Sequence, residues 1–91
     1  MGTISLRLPA QVMVLSDEMY EAITYDEPHV CFASLPDMYE RTLLIGGFSK
    51  GSAMTGFRLG YLAAPLALTK AAAKVQGNNT SCPCSISQAQ V

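Results

Sequence analysis

Three apolar runs and one spaced apolar stripe organise this chain. The first run, Val12-Met13-Val14-Leu15, is continuous rather than alternating, which predicts a strand covered on both faces. It stops at Ser16-Asp17-Glu18-Met19-Tyr20-Glu21, where a helical turn places Asp17 and Tyr20 on one face. Ser16 or Asp17 suits the cap of that turn, with Tyr20 packed against the sheet. Thr24 to Met38 reads as a connector broken by Pro28 and Pro36, and Ser34 to Arg41 as a short helical turn with Ser34 at its cap. Thr42 to Phe48, with Leu43-Leu44-Ile45 at its centre, is the second strand. Gly60-Tyr61-Leu62-Ala63-Ala64 is the third. Its connection to the second is too short for a helical crossover, so the two are expected to run antiparallel. Pro65 suits the first turn of a helix and Gly77 its exit. Between them Leu68, Ala72 and Val75 share one face, with Lys70 and Lys74 on another. Ile86 to Val91 begins a further helix.

The polar positions that matter most lie between the second and third strands. Gly46-Gly47-Phe48-Ser49-Lys50 is followed by Gly51-Ser52-Ala53-Met54-Thr55-Gly56 and then by Phe57-Arg58-Leu59-Gly60. A lysine just beyond a strand's carboxyl end sits where open α/β sheets build their ligand crevices. An arginine a short loop away gives that crevice an anion clamp. The small residues between them let backbone approach a bound ring or phosphate closely. Met54 and Phe57 are assigned to core packing. A lysine that can be desolvated, with an arginine for a phosphate, suits a carbonyl cofactor that carries a phosphate tail.

The spacing from Gly47-Phe48-Ser49-Lys50 to Arg58-Leu59-Gly60 resembles the lysine signature of class I and II aminotransferases, the fold-type-I enzymes of pyridoxal 5'-phosphate. Asp17 and Tyr20, after the first strand, resemble the same family's aspartate and tyrosine. The wording of Ser16-Asp17-Glu18, Phe32-Ala33-Ser34-Leu35-Pro36 and Ala53-Met54-Thr55-Gly56 is most similar to the aspartate–prephenate aminotransferases of bacteria and plastids. The resemblance implies amino-group transfer between an amino acid and a 2-oxo acid. It implies Lys50 as the catalytic residue that bonds the cofactor and moves a proton. It further implies Asp17 on the cofactor's pyridine nitrogen, Tyr20 on its phenolic oxygen, and Ser49 and Arg58 on its phosphate. Some relatives carry a phosphate-binding serine three residues before the lysine; Gly47 stands there and is given no such role. The implied fold is α/β, a fragment of the large domain with a mostly parallel sheet, one antiparallel strand and flanking helices. The full-length family member is expected to be a homodimer.

Composition adds exclusions. The chain has 91 residues, 49% hydrophobic and 14% charged, with a net charge of -1. That is enough for one small domain and leaves no basic run for nucleic acid. No apolar stretch is long enough to span a bilayer, and the amino terminus lacks a signal peptide's pattern. Cys31, Cys82 and Cys84 are an odd set and are expected as reduced thiols. Cys82-Pro83-Cys84 is too tight for a zinc knuckle, and no metal is expected. The lone histidine, His29, is read as a surface or packing residue. The expected compartment is the cytoplasm, or a plastid where a longer precursor carries a transit peptide.

The resemblance covers roughly Val12 to Gln88; residues 12–91 are read as part of the large domain, with Met1 to Gln11 an atypical leading segment. Family members are several times longer. Their glycine-rich phosphate loop, ring-contacting asparagine and substrate-carboxylate arginine have no match here. Two alternatives stand beside the transaminase reading. One is a non-catalytic remnant acting as an interaction module; the other is a different fold-type-I activity, such as an aminocyclopropane-carboxylate synthase.

Overall fold

The computed structural model describes Pro9 and residues 11–91. The expected leading segment, Met1 to Gln11, lies almost wholly outside them. A three-stranded sheet in the order β1-β2-β3 carries the fold. β1 spans Val14–Asp17, β2 Thr42–Gly47 and β3 Gly60–Ala63. β1 and β2 run parallel, with Val14 opposite Thr42 and Asp17 opposite Ile45. β3 is antiparallel to β2, with Gly47 opposite Gly60. The mixed sheet is therefore the α/β arrangement expected, reduced to one parallel and one antiparallel pair.

β1 begins two residues later than its apolar run. Pairing can start only where a partner exists, and β2 begins at Thr42, opposite Val14. Val12 and Met13 are left 40% and 46% exposed, and Leu15 is 66% exposed. Among the described residues, then, β1 is covered on one face: Val14 and Ser16 turn inward while Leu15 and Asp17 turn out. The connector from β1 to β2 is built of two 3-10 turns, Phe32–Ser34 and Tyr39–Arg41, rather than one helical turn. Pro36 lies between them, and Asp37 takes a left-handed φ of 60°. The Ser34 hydroxyl donates to the Cys31 carbonyl (2.7 Å) instead of capping a helix. Thr42, 2% exposed, closes the connector by donating its hydroxyl to the Met38 carbonyl.

The helix after β3, α1, spans Leu66–Asn79 with Pro65 at its N-cap. It runs straight through Gly77, where an exit was expected. No glycine among the described residues has a positive φ, and Ala71-Ala72-Ala73 are strong helix formers that carry the helix on. Leu68, Thr69 and Ala72 are half-buried, with Thr69 and Ala72 lining a cleft toward the sheet, whereas Val75 is 66% exposed. A short second helix, α2, covers Ser85–Ala89.

Among the described residues the buried apolar set is small: Met38, 7% exposed, and Leu59, 8% exposed. The accessible surface is 7177 Å², against about 5100 Å² for a compact 9.7 kDa monomer. The radius of gyration is 15.3 Å, where a compact domain of this length has about 12 Å. The molecule is 16 Å across in its thinnest dimension, and the outward face of β1, with Leu15 66% exposed, is uncovered among the described residues.

Candidate active site

The topology gathers the predicted residues at one edge of the sheet. Asp17 ends β1, Ser49 and Lys50 follow the end of β2, and Arg58 precedes β3. Because β1 and β2 are parallel and β3 is antiparallel, those three termini lie on the same side. Contacts between the loops bear this out. A Cβ added at Gly51 would lie 3.3 Å from the Ala22 Cβ, so the turn after β1 meets the loop after β2. The Met19 sulfur already crowds Gly47, at 2.9 Å from where a Cβ would stand.

The loop that carries Lys50 is closed by its own backbone. Ala53 N–H donates to the Lys50 carbonyl (3.1 Å) and Met54 N–H to the Phe48 carbonyl (3.1 Å). Ala53 and Arg58 both take left-handed φ values, 52° and 55°. Non-glycine residues adopt that region at a cost, and such strain gathers at sites that use it. At Arg58 it reverses the chain into β3, while the guanidinium donates to the Thr55 carbonyl (3.1 Å). Phe57 is 42% exposed and so is not a core residue; Met54 is half-buried.

Side-chain exposure separates the predicted set from its support. Asp17, Lys50 and Arg58 are exposed, Tyr20 is 60% exposed, and Ser49 is half-buried. Among the described residues no hydrogen bond or ion pair joins any two of these five. Asp17 Oδ1 accepts from the Met19 N–H (3.2 Å), so the capping role read from the sequence is realised. The set offers an amine, a carboxylate, a phenol, a hydroxyl and a guanidinium along one edge. Those groups are complementary to an aldehyde, a ring nitrogen, a phenolic oxygen and a phosphate, and the residues therefore fit pyridoxal phosphate chemically. A cleft of about 570 Å³ between the sheet and α1 is lined by Met19, Ile45, Gly46, Tyr61, Ala72 and Gln76. It is apolar and is lined by none of the five.

Next to Asp17 lies a residue the sequence reading passed over. Glu18 is 5% exposed. Its Oε1 accepts from Ser16 Oγ (3.0 Å) and from the Phe32 N–H (2.8 Å), and its Oε2 meets His29 Nε2 at 2.9 Å. Burial alone pushes the Glu18 carboxyl up; His29, the Phe32 amide, Ser16 and Cys31 together outweigh it and hold it below the ordinary value. His29 is thus no idle surface group. Glu18, Glu21 and His29 bring oxygen and nitrogen atoms within 4.8 Å of one another. Tyr61 reaches the same cluster across Gly46, where an added Cβ would collide with the hydroxyl end of its phenol. Burial, and then the charges of Glu21 and Glu18, push the Tyr61 phenol up. Strand parity could have found Glu18: Val14, Ser16 and Glu18 alternate inward, and a glutamate at such a position needs partners.

The sequence profile described as "Aminotransferase class I and II" matches residues 5–91. The chain belongs to that family. Aminotransferases of this class generally depend on pyridoxal phosphate and act on amino acids and their keto acids. An aspartate aminotransferase of Pinus pinaster is 54% identical over 79 residues, which is 86% of this chain and 16% of that one. A bifunctional aspartate aminotransferase and glutamate/aspartate-prephenate aminotransferase of Petunia hybrida is 52% identical over 79 residues, again 86% and 16%. The crystal structure of the Rhizobium meliloti aspartate aminotransferase superposes with a TM-score of 0.80 at 51% identity, covering 86% of this chain and 20% of that one. The chain spans a fifth or less of the length of these aminotransferases.

Proposed function

We propose that this chain supplies the cofactor-bearing edge of a pyridoxal-phosphate-dependent aminotransferase of the aspartate–prephenate kind. The observation that carries the reading is the convergence of Asp17, Tyr20, Ser49, Lys50 and Arg58 on one end of a mixed sheet, in a chain of that family. Lys50, exposed on a flexible stem, presents Nζ as the attachment point, then takes and returns a proton there. Arg58 and the Ser49 hydroxyl would hold the phosphate. The Asp17 carboxylate would pair with the ring nitrogen and keep its proton in place, and the Tyr20 hydroxyl would donate to the phenolic oxygen. When bound, the cofactor supplies the electron sink that lets a proton leave the amino acid's alpha carbon. The reaction is amino-group transfer to a 2-oxo acid, performed by a homodimer in the cytoplasm or a plastid.

The exposed outer face of β1 and the large accessible surface favour a second statement: the chain made alone has no transaminase activity. Its surface exceeds that of a compact monomer, and the sequence reading finds no match to the family's anchor for the substrate carboxylate. Without that anchor a well-placed Lys50 has no oriented substrate. The test therefore uses the Rhizobium enzyme with its matching segment exchanged for this chain's. Borohydride reduction of the loaded protein should label one peptide, at Lys50. A label at Lys70 or Lys74, or none, overturns the assignment.

A further inference from the structure

We infer that Glu18, with His29 as its partner, is the positioning residue that aims Asp17 and Tyr20 at the cofactor. The inference rests on the proposed function above. Three observations carry it.

First, Glu18 is the point from which the turn hangs. Its backbone N–H donates to the Ile45 carbonyl (2.8 Å), which extends the β1–β2 ladder one residue past the end of β1. Its carbonyl accepts from the Glu21 N–H (3.2 Å), which starts the turn that carries Tyr20. Asp17 immediately precedes this anchor, so the direction of its side chain follows from the parity Glu18 sets. Second, the Glu18 side chain is locked from every side. Ser16 on β1, the Phe32 amide of the first 3-10 turn and His29 of the connector all bond it. A buried carboxylate with that many donors has one orientation, and so has the backbone on either side of it. Third, the chemistry on the opposite face does not need it. Glu18 points into the sheet face that Tyr61 crosses, whereas Asp17 points outward. A carboxylate at this depth that touches no reacting group is retained for what it holds.

The groups facing this carboxylate are His29, Cys31, Glu21 and the Tyr61 phenol, together with the Ser16 hydroxyl and Phe32 amide. Of these, His29 supplies the one cationic form. Its side chain is 32% exposed against 3% for Glu18, so solvent reaches the histidine while the carboxylate stays dry. Glu18→Gln keeps an acceptor for Ser16 and the Phe32 amide and can donate to neutral His29. Glu18→Ala keeps none of these bonds.

The experiment compares the exchanged-segment Rhizobium enzyme with its Glu18→Ala, Glu18→Gln and His29→Ala forms. Three readouts are taken on the folded fraction: cofactor affinity, the pH midpoint of the bound cofactor's absorbance, and kcat against KM. A misaimed Asp17 and Tyr20 should shift the absorbance midpoint, weaken cofactor affinity, and lower kcat about ten- to a hundredfold in Glu18→Ala. KM for the 2-oxo acid should move far less. Glu18→Gln should recover most of the loss, and His29→Ala should show a smaller effect in the same direction. If Glu18→Ala yields no folded protein, His29→Ala carries the same test, because it removes one partner and leaves the others. Loaded variants with unchanged midpoint, affinity and kcat would overturn the inference and leave the proposed function standing. An unsubstituted exchanged-segment enzyme that takes up no cofactor would overturn the proposed function, and the inference with it.

Discussion

The ends of β1 and β2 lie side by side and are built in opposite ways. At the end of β1 a glutamate is buried and bonded on both carboxylate oxygens, and the turn beyond it is pinned to the neighbouring strand. At the end of β2 a lysine stands exposed without a partner among the described residues, on a loop closed by backbone bonds from Ala53 to Lys50 and from Met54 to Phe48. The difference separates two tasks. Groups that recognise fixed features of a ligand gain from rigid placement, since reorientation costs them during the reaction. Under the proposed function the lysine must bond, release and carry a proton, which needs reach, and a solvated four-carbon stem provides it. The buried and bonded end holds Asp17 and Tyr20, and the exposed end holds Lys50.

The largest effect that can break this comparison is expected at Asp17. Its carboxylate caps the turn through Met19 N–H, and under the proposed function it also carries a charge needed by the ring. Asp17→Asn keeps the cap and removes the charge; Asp17→Ala removes both. In the exchanged-segment enzyme both should lower turnover by about a hundredfold or more, as loss of a preorganised charge does. Only Asp17→Ala should also lower stability, by about 1 kcal/mol. Near-normal turnover in Asp17→Asn would reduce Asp17 to a cap and make the end of β1 purely structural.

A smaller effect is expected at Gly46, which sits between the two ends. Tyr61 crosses the sheet over it to reach Glu21 and Glu18, and a side chain at Gly46 would occupy the ring's place. Gly46→Ala should cost about 1–3 kcal/mol by overpacking. Combining it with Tyr61→Ala should return part of that loss, because the collision is gone. A thermal or urea series on the four forms measures the coupling. Additive losses would mean that Tyr61 has another way round, and that the cluster at the end of β1 is not braced from β3.

Much of this arrangement is legible in the sequence, and the reasons differ by element. β2 and β3 follow from apolar runs bounded by glycines, and their antiparallel pairing follows from a connection too short to cross over. Lys50 and Arg58 declare themselves by spacing within a small-residue loop. The reading of β1 as covered on both faces failed, since Leu15 is 66% exposed. A continuous apolar run reports what a complete fold would cover, and the described residues do not supply the cover. Gly77 misled because a glycine ends a helix only where φ turns positive, and strong helix formers upstream kept it helical. Glu18 and His29 were missed because they are 11 residues apart across a connector with no period to follow. Pairing at that separation belongs to tertiary structure, and only the inward parity of Glu18 hints at it.

The smallest expected effect is on acid stability, and it isolates the buried carboxylate. Glu18 is held below the ordinary glutamate value of 4.5 in the folded chain, because the donors around it outweigh the cost of burial. In the unfolded chain that environment is gone and the value is ordinary. A group with a depressed folded pKa contributes stability that is fully present above its unfolded value and is lost as pH falls through its folded one. The exchanged-segment enzyme should therefore lose stability below about pH 4.5 more steeply than its Glu18→Gln form, which has no proton to take up there. Above that pH the two curves should run parallel, offset by what the His29 contact is worth. The measurement is a set of urea midpoints across the acid range for both forms. Coincident acid limbs would mean that the folded carboxylate is no more favoured than the unfolded one. The buried end of the comparison would then be held by backbone pairing with Ile45 alone.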